Sequence, residues 1–214
     1  MDKYQVAIVI PAFNEEATIF RVVQSVREYG EVIVINDAST DETGKIAEKA
    51  GATLVNHKKN KGYDGALNSG FVKAGELNCD VVITFDADGQ HNQRFIKEYI
   101  DLLEQGSQVV VGIRGEFQRV SEYIFSWVSI WKWGVKDPLC GMKAYHIGIY
   151  RELGYFDSYG SIGTELTLYA ASHKKKIAQF SIKIKDRQDR PRFGSRISAN
   201  IAILRSLFIG YRRY

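Results

Sequence analysis

The sequence predicts an α/β fold, in which helices cover both faces of a mostly parallel central β-sheet. Short apolar runs alternate with amphipathic stretches through the first half of the chain, and polar clusters follow three of the apolar runs. Strand and helix patterns alternate in this way when the chain crosses back over a sheet between parallel strands. The length of 214 residues, with 45% hydrophobic and 25% charged residues, predicts a single domain over residues 1–214.

The period of the apolar residues predicts each element of the first half in turn. Tyr4–Ile10 has a strand pattern, and Asn14 is the predicted N-cap of a helix over Glu15–Tyr29. Ser39–Glu42 has the sequence of a capping box and is predicted to open a helix that ends near Ala50. The remaining predicted strands are Glu31–Ile35, Thr53–Asn56, Val81–Phe85 and Val109–Ile113, and the remaining predicted helices are Gly65–Leu77 and Gln93–Gln105.

Two stretches of the second half place apolar and aromatic residues at helical spacing beside basic residues. The first runs from Phe117 to Trp131 and the second from Ile197 to Tyr211. The spacing favours a helix that faces the core. The aromatic and basic content also fits a helix that lies in a membrane interface.

Polar residues directly follow three of the predicted strands. The clusters are Pro11–Asn14, Asn36–Ser39 and Asp86–Asp88. Open parallel sheets bind their ligands outside the carboxyl ends of the strands. Three clusters at one edge therefore predict a binding site there.

The most specific of these clusters is Asp86-Ala87-Asp88. Carboxylates at positions i and i+2 of a turn can aim at one point, and Gln90 offers a third oxygen. Hard oxygen ligands suit Mg²⁺ or Mn²⁺, which substrate phosphates usually complete. The alternative is a polar turn whose side chains cap backbone amides. Asp37 has two interpretations of the same kind, as an acceptor of hydrogen bonds from a base or ribose or as a turn cap.

Charge and motif content exclude several classes of protein. The net charge of +4 is concentrated in residues 174–214, and such basicity suits phosphates or an anionic membrane surface. No nucleic-acid motif accompanies it, so no nucleic-acid partner is expected. The chain contains neither Gly-x-Gly-x-x-Gly nor a Walker A sequence, and a dinucleotide fold is therefore unsupported. With no signal peptide and no apolar run of about 18 residues, we expect a cytoplasmic protein, soluble or peripheral to the membrane.

Four motifs, taken in order, resemble glycosyltransferase family 2. They are Val9–Glu16, Ile35–Asp41, Asn60–Gly62 and Asp86–His91. The most similar branch is that of dolichol-phosphate mannosyltransferase and the polyprenyl-phosphate glycosyltransferases, although the transmembrane helices of that branch are missing. The resemblance covers roughly residues 4–200. It implies a GT-A (Rossmann-like) fold, a GDP- or UDP-sugar donor, a Mg²⁺ or Mn²⁺ ion and inversion at the anomeric carbon.

The resemblance also implies roles for individual residues. It assigns the metal to Asp86, Asp88 and Gln90, and catalysis to Asp88, Arg114 and Arg192. The donor half is about residues 1–115 and the acceptor half about 116–214. Two further segments match, since Asp137–Lys143 is similar to an Asp-x-x-x-Gly-Phe-Arg segment near the acceptor and Arg190–Arg196 to a basic loop over the donor phosphates. The residues implied in donor binding are Pro11, Ala12, Asn14, Glu15, Asp37, Lys61, Asp86, Ala87, Asp88, Arg190 and Arg196.

The nature of the acceptor decides whether a base is needed. A polyprenyl phosphate is already anionic, whereas a hydroxyl acceptor in surface-polysaccharide assembly must lose a proton. Glu165 is the best candidate for that base, and its alternative is a first-turn helix residue that interacts with the helix dipole. His91 is a candidate metal ligand or an exposed loop residue, and the other histidines are predicted to be structural. The remaining functional alternatives are a sugar-nucleotidyltransferase and a non-catalytic, membrane-peripheral nucleotide-sugar-binding protein.

Overall fold

The computed structural model describes residues 4–183 and 196–214, and the chain forms seven strands and eight helices over these residues. The strands are β1 Val6–Ala12, β2 Glu31–Asn36, β3 Thr53–Asn56, β4 Val81–Thr84, β5 Val109–Arg114, β6 Lys143–His146 and β7 Ile177–Ile182. The helices are α1 Ile19–Val26, α2 Thr43–Lys49, α3 Gly62–Glu76, α4 Phe95–Glu104, α5 Val120–Trp133, α6 Ile147–Leu153, α7 Glu165–Ser172 and α8 Arg196–Arg213.

All seven strands belong to one sheet, in the order β3-β2-β1-β4-β6-β5-β7. Every neighbouring pair is parallel except those of β6, which runs antiparallel to both β4 and β5. The predicted α/β class with a mostly parallel sheet is confirmed. β6 was not predicted, because Lys143–His146 is four residues long and carries a lysine and a histidine in place of an apolar run.

Apolar side chains cover both faces of the sheet, as the continuous apolar strands require. On one face, Ile8 and Ile10 of β1 pack in a cluster with Val23 of α1 and Tyr99 of α4. On the other face, Val9 packs in a cluster with residues of α3, α6 and α7. A third, smaller cluster joins α5, α7 and α8 through Phe125, Leu168, Ile203 and Leu207.

Two predicted helix starts are wrong. Asn14 is not an N-cap, because its backbone is left-handed with φ of 55° and its side-chain oxygen accepts a hydrogen bond from the Thr40 amide at 2.8 Å. The capping box at Ser39–Glu42 does not form either, because the Ser39 hydroxyl accepts the Asn14 amide at 3.0 Å and α2 begins only at Thr43. Both side chains therefore tie the first two strand-end loops together.

The two aromatic stripes form neighbouring helices with exposed outer faces. The Ser121 hydroxyl of α5 donates a hydrogen bond to Asn200 Oδ1 of α8, and Lys132 Nζ of α5 donates to the Tyr211 carbonyl of α8. Because the first contact joins the beginnings of the two helices and the second joins their ends, the helices run side by side and parallel. The core-facing interpretation that the spacing favoured is wrong for these outer faces. We call them the apolar face, which comprises Val120, Tyr123, Ile124, Trp127, Ile130 and Trp131 of α5 and Ile197, Ile201, Leu204, Phe208 and Tyr211 of α8.

Within the described residues, no helix has both the length and the apolar character that crossing a bilayer requires.

We expect a Gly70→Ala substitution to destabilise the protein by about 1–3 kcal/mol, the usual cost of overpacking a core. A Cβ atom at Gly70 of α3 would lie 2.2 Å from Cγ1 of Val9 on β1. Gly75→Ala on the same helix is the matched control, since its Cβ would meet nothing within 4 Å. That control should gain about 0.5–1 kcal/mol from helix propensity. Urea unfolding measures both variants, and equal stability of the two would contradict the close packing of α3 on β1.

Candidate active site

The three strand-end clusters lie together at one edge of the sheet. The loop after β1 is joined to the loop after β2 by the hydrogen bonds of Asn14 with Ser39 and Thr40. The loop after β4 begins beside β1, where the Phe85 amide donates to the Val9 carbonyl at 3.0 Å. The edge predicted from the sequence is therefore formed by neighbouring loops.

Asp86 is held in place by a histidine and by a close backbone approach. His91 Nε2 lies 2.8 Å from Asp86 Oδ2, and a Cβ atom at Gly141 would lie 2.3 Å from the same oxygen. Only glycine fits at position 141 while the carboxylate stays where it is. Burial acts to raise the pKa of Asp86, but the hydrogen bond and charge of His91 outweigh it and hold that pKa below its usual value.

His91 orients the carboxylate and is not an exposed loop residue. The ring is buried, and its Nδ1 has no hydrogen-bond partner among the described residues. The Nε2 contact with Asp86 therefore holds that carboxylate in one orientation.

Asp88 lies in the turn after β4, where its Oδ1 accepts the Gln90 amide at 3.0 Å. Asp86 and Asp88 supply hard oxygen donors, which fit Mg²⁺ or Mn²⁺. Ala87 between them is buried in the core cluster, which anchors the turn. No group of three or more His, Cys, Asp or Glu side chains within residues 4–183 and 196–214 could hold a metal ion by itself. A cation here would need oxygens from a substrate as well.

Arg114 ends β5 with its charge balanced by two carboxylates. Its Nε and Nη2 donate to Asp137 at 2.8 and 2.9 Å, and its amide donates to the same carboxylate at 3.0 Å. Glu122 of α5 lies 3.2 Å from Nη2. These partners raise the pKa of Arg114 despite the opposing effect of burial. The bidentate pair with Asp137 fixes the guanidinium of Arg114. The contact with Glu122 connects that guanidinium to the first turn of α5.

Lys143, at the start of β6, is a buried ammonium group. Its Nζ donates to the Gly163 carbonyl at 2.6 Å, and burial lowers its pKa to about 8 although nearby acidic groups oppose the shift. The loop that carries Gly163 is also held by Asp64, which accepts the amides of Ile162 and Gly163 at 3.0 and 2.6 Å. Burial, followed by the charge of Asp157, raises the pKa of Asp64 to about 6.

Asp37 forms the turn cap that was one of its two interpretations. Its carboxylate accepts the amides of Lys61 and Gly62, both at 2.8 Å, at the start of α3. His57 Nδ1 lies 2.6 Å from Asp37 Oδ1, and His57 Nε2 lies 2.8 Å from the Ser69 hydroxyl. The predicted structural role of His57 fits these contacts. A carboxylate has about four lone-pair positions, and three donors leave Asp37 one for a ligand, so its contact with a nucleoside stays a prediction.

The other residues implied in nucleoside binding surround the first loop. The Glu15 amide donates to Thr43 Oγ1 at 2.7 Å, and the Glu15 side chain is buried. Ala12 is buried at the end of β1, and its carbonyl accepts the Asp37 amide at 2.9 Å. Pro11 pairs with Ile35 in the register of the two strands. Their contact with a nucleoside stays a prediction.

Glu165 is enclosed at the start of α7. Its carboxylate accepts the Ser158 amide at 2.6 Å and the Tyr214 hydroxyl at 2.8 Å, with Arg213 at 3.3 Å. The residue is 0% exposed. These contacts favour the alternative of a structural first-turn glutamate over a general base, because both oxygens already accept hydrogen bonds from the protein.

The predicted basic loop falls mostly on residues that lie outside the described ranges. Arg190 and Arg192 are among them, so their contact with donor phosphates and their predicted mobility stay predictions. Arg196 is the first residue of α8.

Pattern reading missed three of the side chains that surround the edge. Glu122, Tyr63 and Asp64 have no motif of their own, because each reaches the site from a helix whose position the sequence does not fix. A cavity of about 260 Å³ lies elsewhere, at the opposite edge, lined by residues that include Gln108 and His146. The acidic and basic groups of the candidate site therefore lie away from that cavity.

A family model described as "Glycosyl transferase family 2" matches residues 7–209 of the chain. An uncharacterized protein of Methanocaldococcus jannaschii is 28% identical over 201 residues, 86% of this chain and 82% of that protein. A dolichyl-phosphate hexose transferase of Haloferax volcanii is 27% identical over 85% of this chain and 83% of that enzyme. A UDP-N-acetylglucosamine–dolichyl-phosphate N-acetylglucosaminyltransferase of Methanococcus voltae is 34% identical, but the match spans only 50% of this chain and 51% of that enzyme.

Solved structures share the fold over almost the whole chain. Glucosyl-3-phosphoglycerate synthase from Mycobacterium tuberculosis, in complex with Mn²⁺, uridine diphosphate and glucosyl-3-phosphoglycerate, matches with a TM-score of 0.78 at 22% identity and covers 98% of this chain and 79% of that one. Its complex with Mn²⁺ and UDP-glucose matches with a TM-score of 0.76 at 23% identity, over 96% and 79%. At this level of identity the likeness concerns the fold, and it confirms the predicted GT-A architecture.

We expect the stability of the protein to rise relative to a Lys143→Met variant between about pH 8 and 10.5. The pKa of Lys143 falls from 10.5 to about 8 on folding, so the unfolded chain binds more protons in this window and stability rises with pH. The full effect is on the order of 3 kcal/mol. Urea unfolding of both proteins at pH 7 and 10 measures it, and a constant difference between them would contradict the uncompensated burial of this amine.

Proposed function

We propose that this chain, which belongs to glycosyl transferase family 2, transfers a sugar from a nucleotide-sugar donor to a polyprenyl phosphate at the cytoplasmic face of a membrane, with a divalent cation as cofactor. The observation that carries this proposal is the contact of Glu122 with Arg114, because it anchors the first turn of α5, a helix of the apolar face, to the arginine at the end of β5. Relatives named as dolichyl-phosphate transferases support the choice of acceptor.

Asp86 and Asp88 would hold Mg²⁺ or Mn²⁺, which would neutralise the charge that develops on the leaving diphosphate. His91 and Gly141 keep Asp86 in one orientation, so the carboxylate needs no rearrangement during the reaction. Gln90 lies in the same turn and would contribute a further oxygen. The donor's GDP or UDP moiety would lie over the β1 and β2 loops, near Asn14 and Asp37. Neighbours with bound uridine diphosphate and Mn²⁺ or Mg²⁺ support a donor and cofactor of this kind.

The reaction we propose is a single displacement. A phosphate oxygen of the acceptor forms a bond to the anomeric carbon while the bond from that carbon to the diphosphate breaks. The nucleoside diphosphate leaves with the electron pair, and the configuration inverts. Asp137 fixes the guanidinium of Arg114 through two hydrogen bonds. Arg114 and Arg192 would stabilise the negative charges of the phosphates as they change during the reaction.

The surroundings of Glu165 favour a phosphate acceptor over a hydroxyl. A hydroxyl acceptor needs a base within hydrogen-bond reach, and the Glu165 carboxylate is enclosed by Ser158, Arg213 and Tyr214. An acceptor phosphate is an anion already and needs no base. Release of the product by mild acid separates the two, because a glycosyl phosphate is labile and an ordinary glycoside is stable.

The apolar face would seat the enzyme on the membrane. Trp127 is 74% exposed, Trp131 75% and Phe208 62%, and exposed clusters of large apolar side chains mark sites of interaction with proteins or membranes. Lys132 and Arg212 lie on the same two helices and would attract anionic lipid, at about 1 kcal/mol per charge near the surface. This arrangement would bring a membrane-bound acceptor to the site without a membrane-spanning helix in the described residues.

We expect Asp88→Asn to lower turnover by at least a hundredfold while the protein stays folded, since a cation that holds the leaving diphosphate would lose a charged ligand. The assay is transfer from radiolabelled GDP- and UDP-sugars to a polyprenyl phosphate in the presence of Mn²⁺. Asp101→Asn on α4, the same chemical change away from the site, is the control. Full activity of Asp88→Asn, or of the wild type in EDTA, would refute the metal role.

We expect the protein to float with anionic vesicles at low salt and to be lost from them at high salt. Trp127→Glu should abolish flotation because it places a charge at the centre of the apolar face. Phe20→Glu on α1 is the control, since Phe20 is also exposed, at 51%, but on another part of the surface. A protein that does not float and is dimeric by light scattering would show that a second copy covers this face and would refute the membrane role.

A further inference from the structure

The turn of Ser161, Ile162 and Gly163 contains a strained backbone. Ile162 has φ of 57°, in the left-handed region. A β-branched residue is an outlier there, because its Cβ atom crowds the backbone. Gly163 follows with φ of 71°, which glycine adopts without strain. Strained residues persist only where the surrounding structure holds them, and they concentrate at functional sites.

The backbone of this turn is held from α3, beside the candidate site. The carboxylate of Asp64 accepts the Ile162 amide at 3.0 Å and the Gly163 amide at 2.6 Å. The ring of Tyr63, the preceding residue of α3, would lie 3.1 Å from a Cβ atom at Gly163. Burial, followed by the charge of Asp86, raises the pKa of Tyr63 well above its usual value. The turn therefore borders the same environment as the acidic edge of the sheet.

The side chain of Ile162 packs below the apolar face. It is half-buried against the third apolar cluster, which is formed by Phe125 of α5, Leu168 of α7, and Ile203 and Leu207 of α8. Helices α5 and α8 carry the apolar face on their outer surface. Ser206 of α8 also donates to the Ser161 carbonyl at 2.8 Å. Ile162 therefore joins the two helices, through its side chain, to α3 and the edge of the site, through its amide.

We propose that Ile162 is a positioning residue through which contact of the apolar face with a membrane raises the rate of sugar transfer. The inference rests on the proposed function, in which this face lies on the membrane. The packing of α5 and α8 around the Ile162 side chain offsets the cost of its backbone. In water these helices are packed on their inner side only, whereas lipid on the outer side would favour the arrangement that holds the turn in place. The alternative is a strained turn that affects stability alone.

The test measures transfer from the donor to a short-chain polyprenyl phosphate, both saturating, with and without vesicles of phosphatidylglycerol and phosphatidylcholine. Ile162→Gly removes the side chain and relieves the backbone, whereas Ile162→Ala shortens the side chain and keeps the left-handed strain. Asn78→Gly is the matched control, because Asn78 also has φ of 57°. It lies just before β4, at the opposite edge of the sheet from the site.

We expect vesicles to raise the wild-type kcat by at least about fivefold, the lower end of the usual coupling between two sites. Asn78→Gly should retain this stimulation. Both Ile162 variants should lose it while they still float with the vesicles, because the link is broken and the apolar face is intact. Without vesicles, Ile162→Ala should be slower than Ile162→Gly, since it keeps the strain and loses the packing that offsets it.

An unchanged wild-type kcat with vesicles would overturn the proposal. So would Ile162 variants whose kcat falls by the same factor with and without vesicles, as expected of a residue that only supports the fold. Failure of the proposed function has a different signature, since the wild type would then transfer no sugar to any polyprenyl phosphate. Hydrogen exchange of the wild type decides in that case. Vesicles should slow exchange of the Ile162 and Gly163 amides relative to the Asn78 amide, and unchanged exchange overturns the proposal.

Discussion

The insertion of β6 between β4 and β5 is the constraint on which the site depends. Among the described strands only β6 runs antiparallel to its neighbours, and it brings the loop before it back across the carboxyl ends of β4 and β5. Gly141 thereby packs against Asp86, and Asp137 reaches Arg114. A purely parallel sheet would leave these strand ends apart, because each would be followed only by its own loop and helix.

The charges of the site fall into two groups. Around Arg114, two carboxylates and two arginines form a balanced cluster, in which Glu122 bridges Arg114 and Arg119. Around Asp86 the balance is less complete, because Lys143 donates to the neutral Gly163 carbonyl and forms no ion pair with a carboxylate of the described residues. A cluster whose charges balance holds its side chains in one arrangement. A cluster whose charges are not balanced can bind ions of either sign. In the proposed reaction, a metal ion with a diphosphate would supply both.

The apolar face is built into the same packing unit as the loop of Ser161 to Gly163, which borders the candidate site. On α8, Ser206 donates to the Ser161 carbonyl at 2.8 Å and Arg205 donates to the Tyr159 carbonyl at 2.8 Å. The loop that carries Ser161 continues to Gly163, which Lys143 and Asp64 hold from the sheet and α3. The helices with the exposed aromatics thus rest directly on the loop that borders the site.

The sequence by itself determined the class of fold, the order of the first nine elements and the edge at which the polar clusters meet. Those features depend on local periodicity and on the rule that parallel strands end on one side. The sequence also contained the two aromatic stripes, but the same spacing suits a core helix and an exposed one. Only tertiary packing decided that Phe125 turns inward while Trp127 stays outside.

Tertiary structure also decided what individual polar side chains do. Asn14 and Ser39 are residue types that cap helices and stand where helices were predicted to begin. In the fold, each side chain instead accepts a hydrogen bond from a backbone amide about 25 positions away. The sequence allowed Glu165 to be either a base or a structural first-turn residue, and its contacts with Tyr214 and with the loop before it favour the structural role. The sequence does not show that Lys143 is buried or that its Nζ donates to the Gly163 carbonyl, 20 positions away. Local patterns cannot report such facts, because a side chain's hydrogen bonds and exposure depend on which distant segments pack against it.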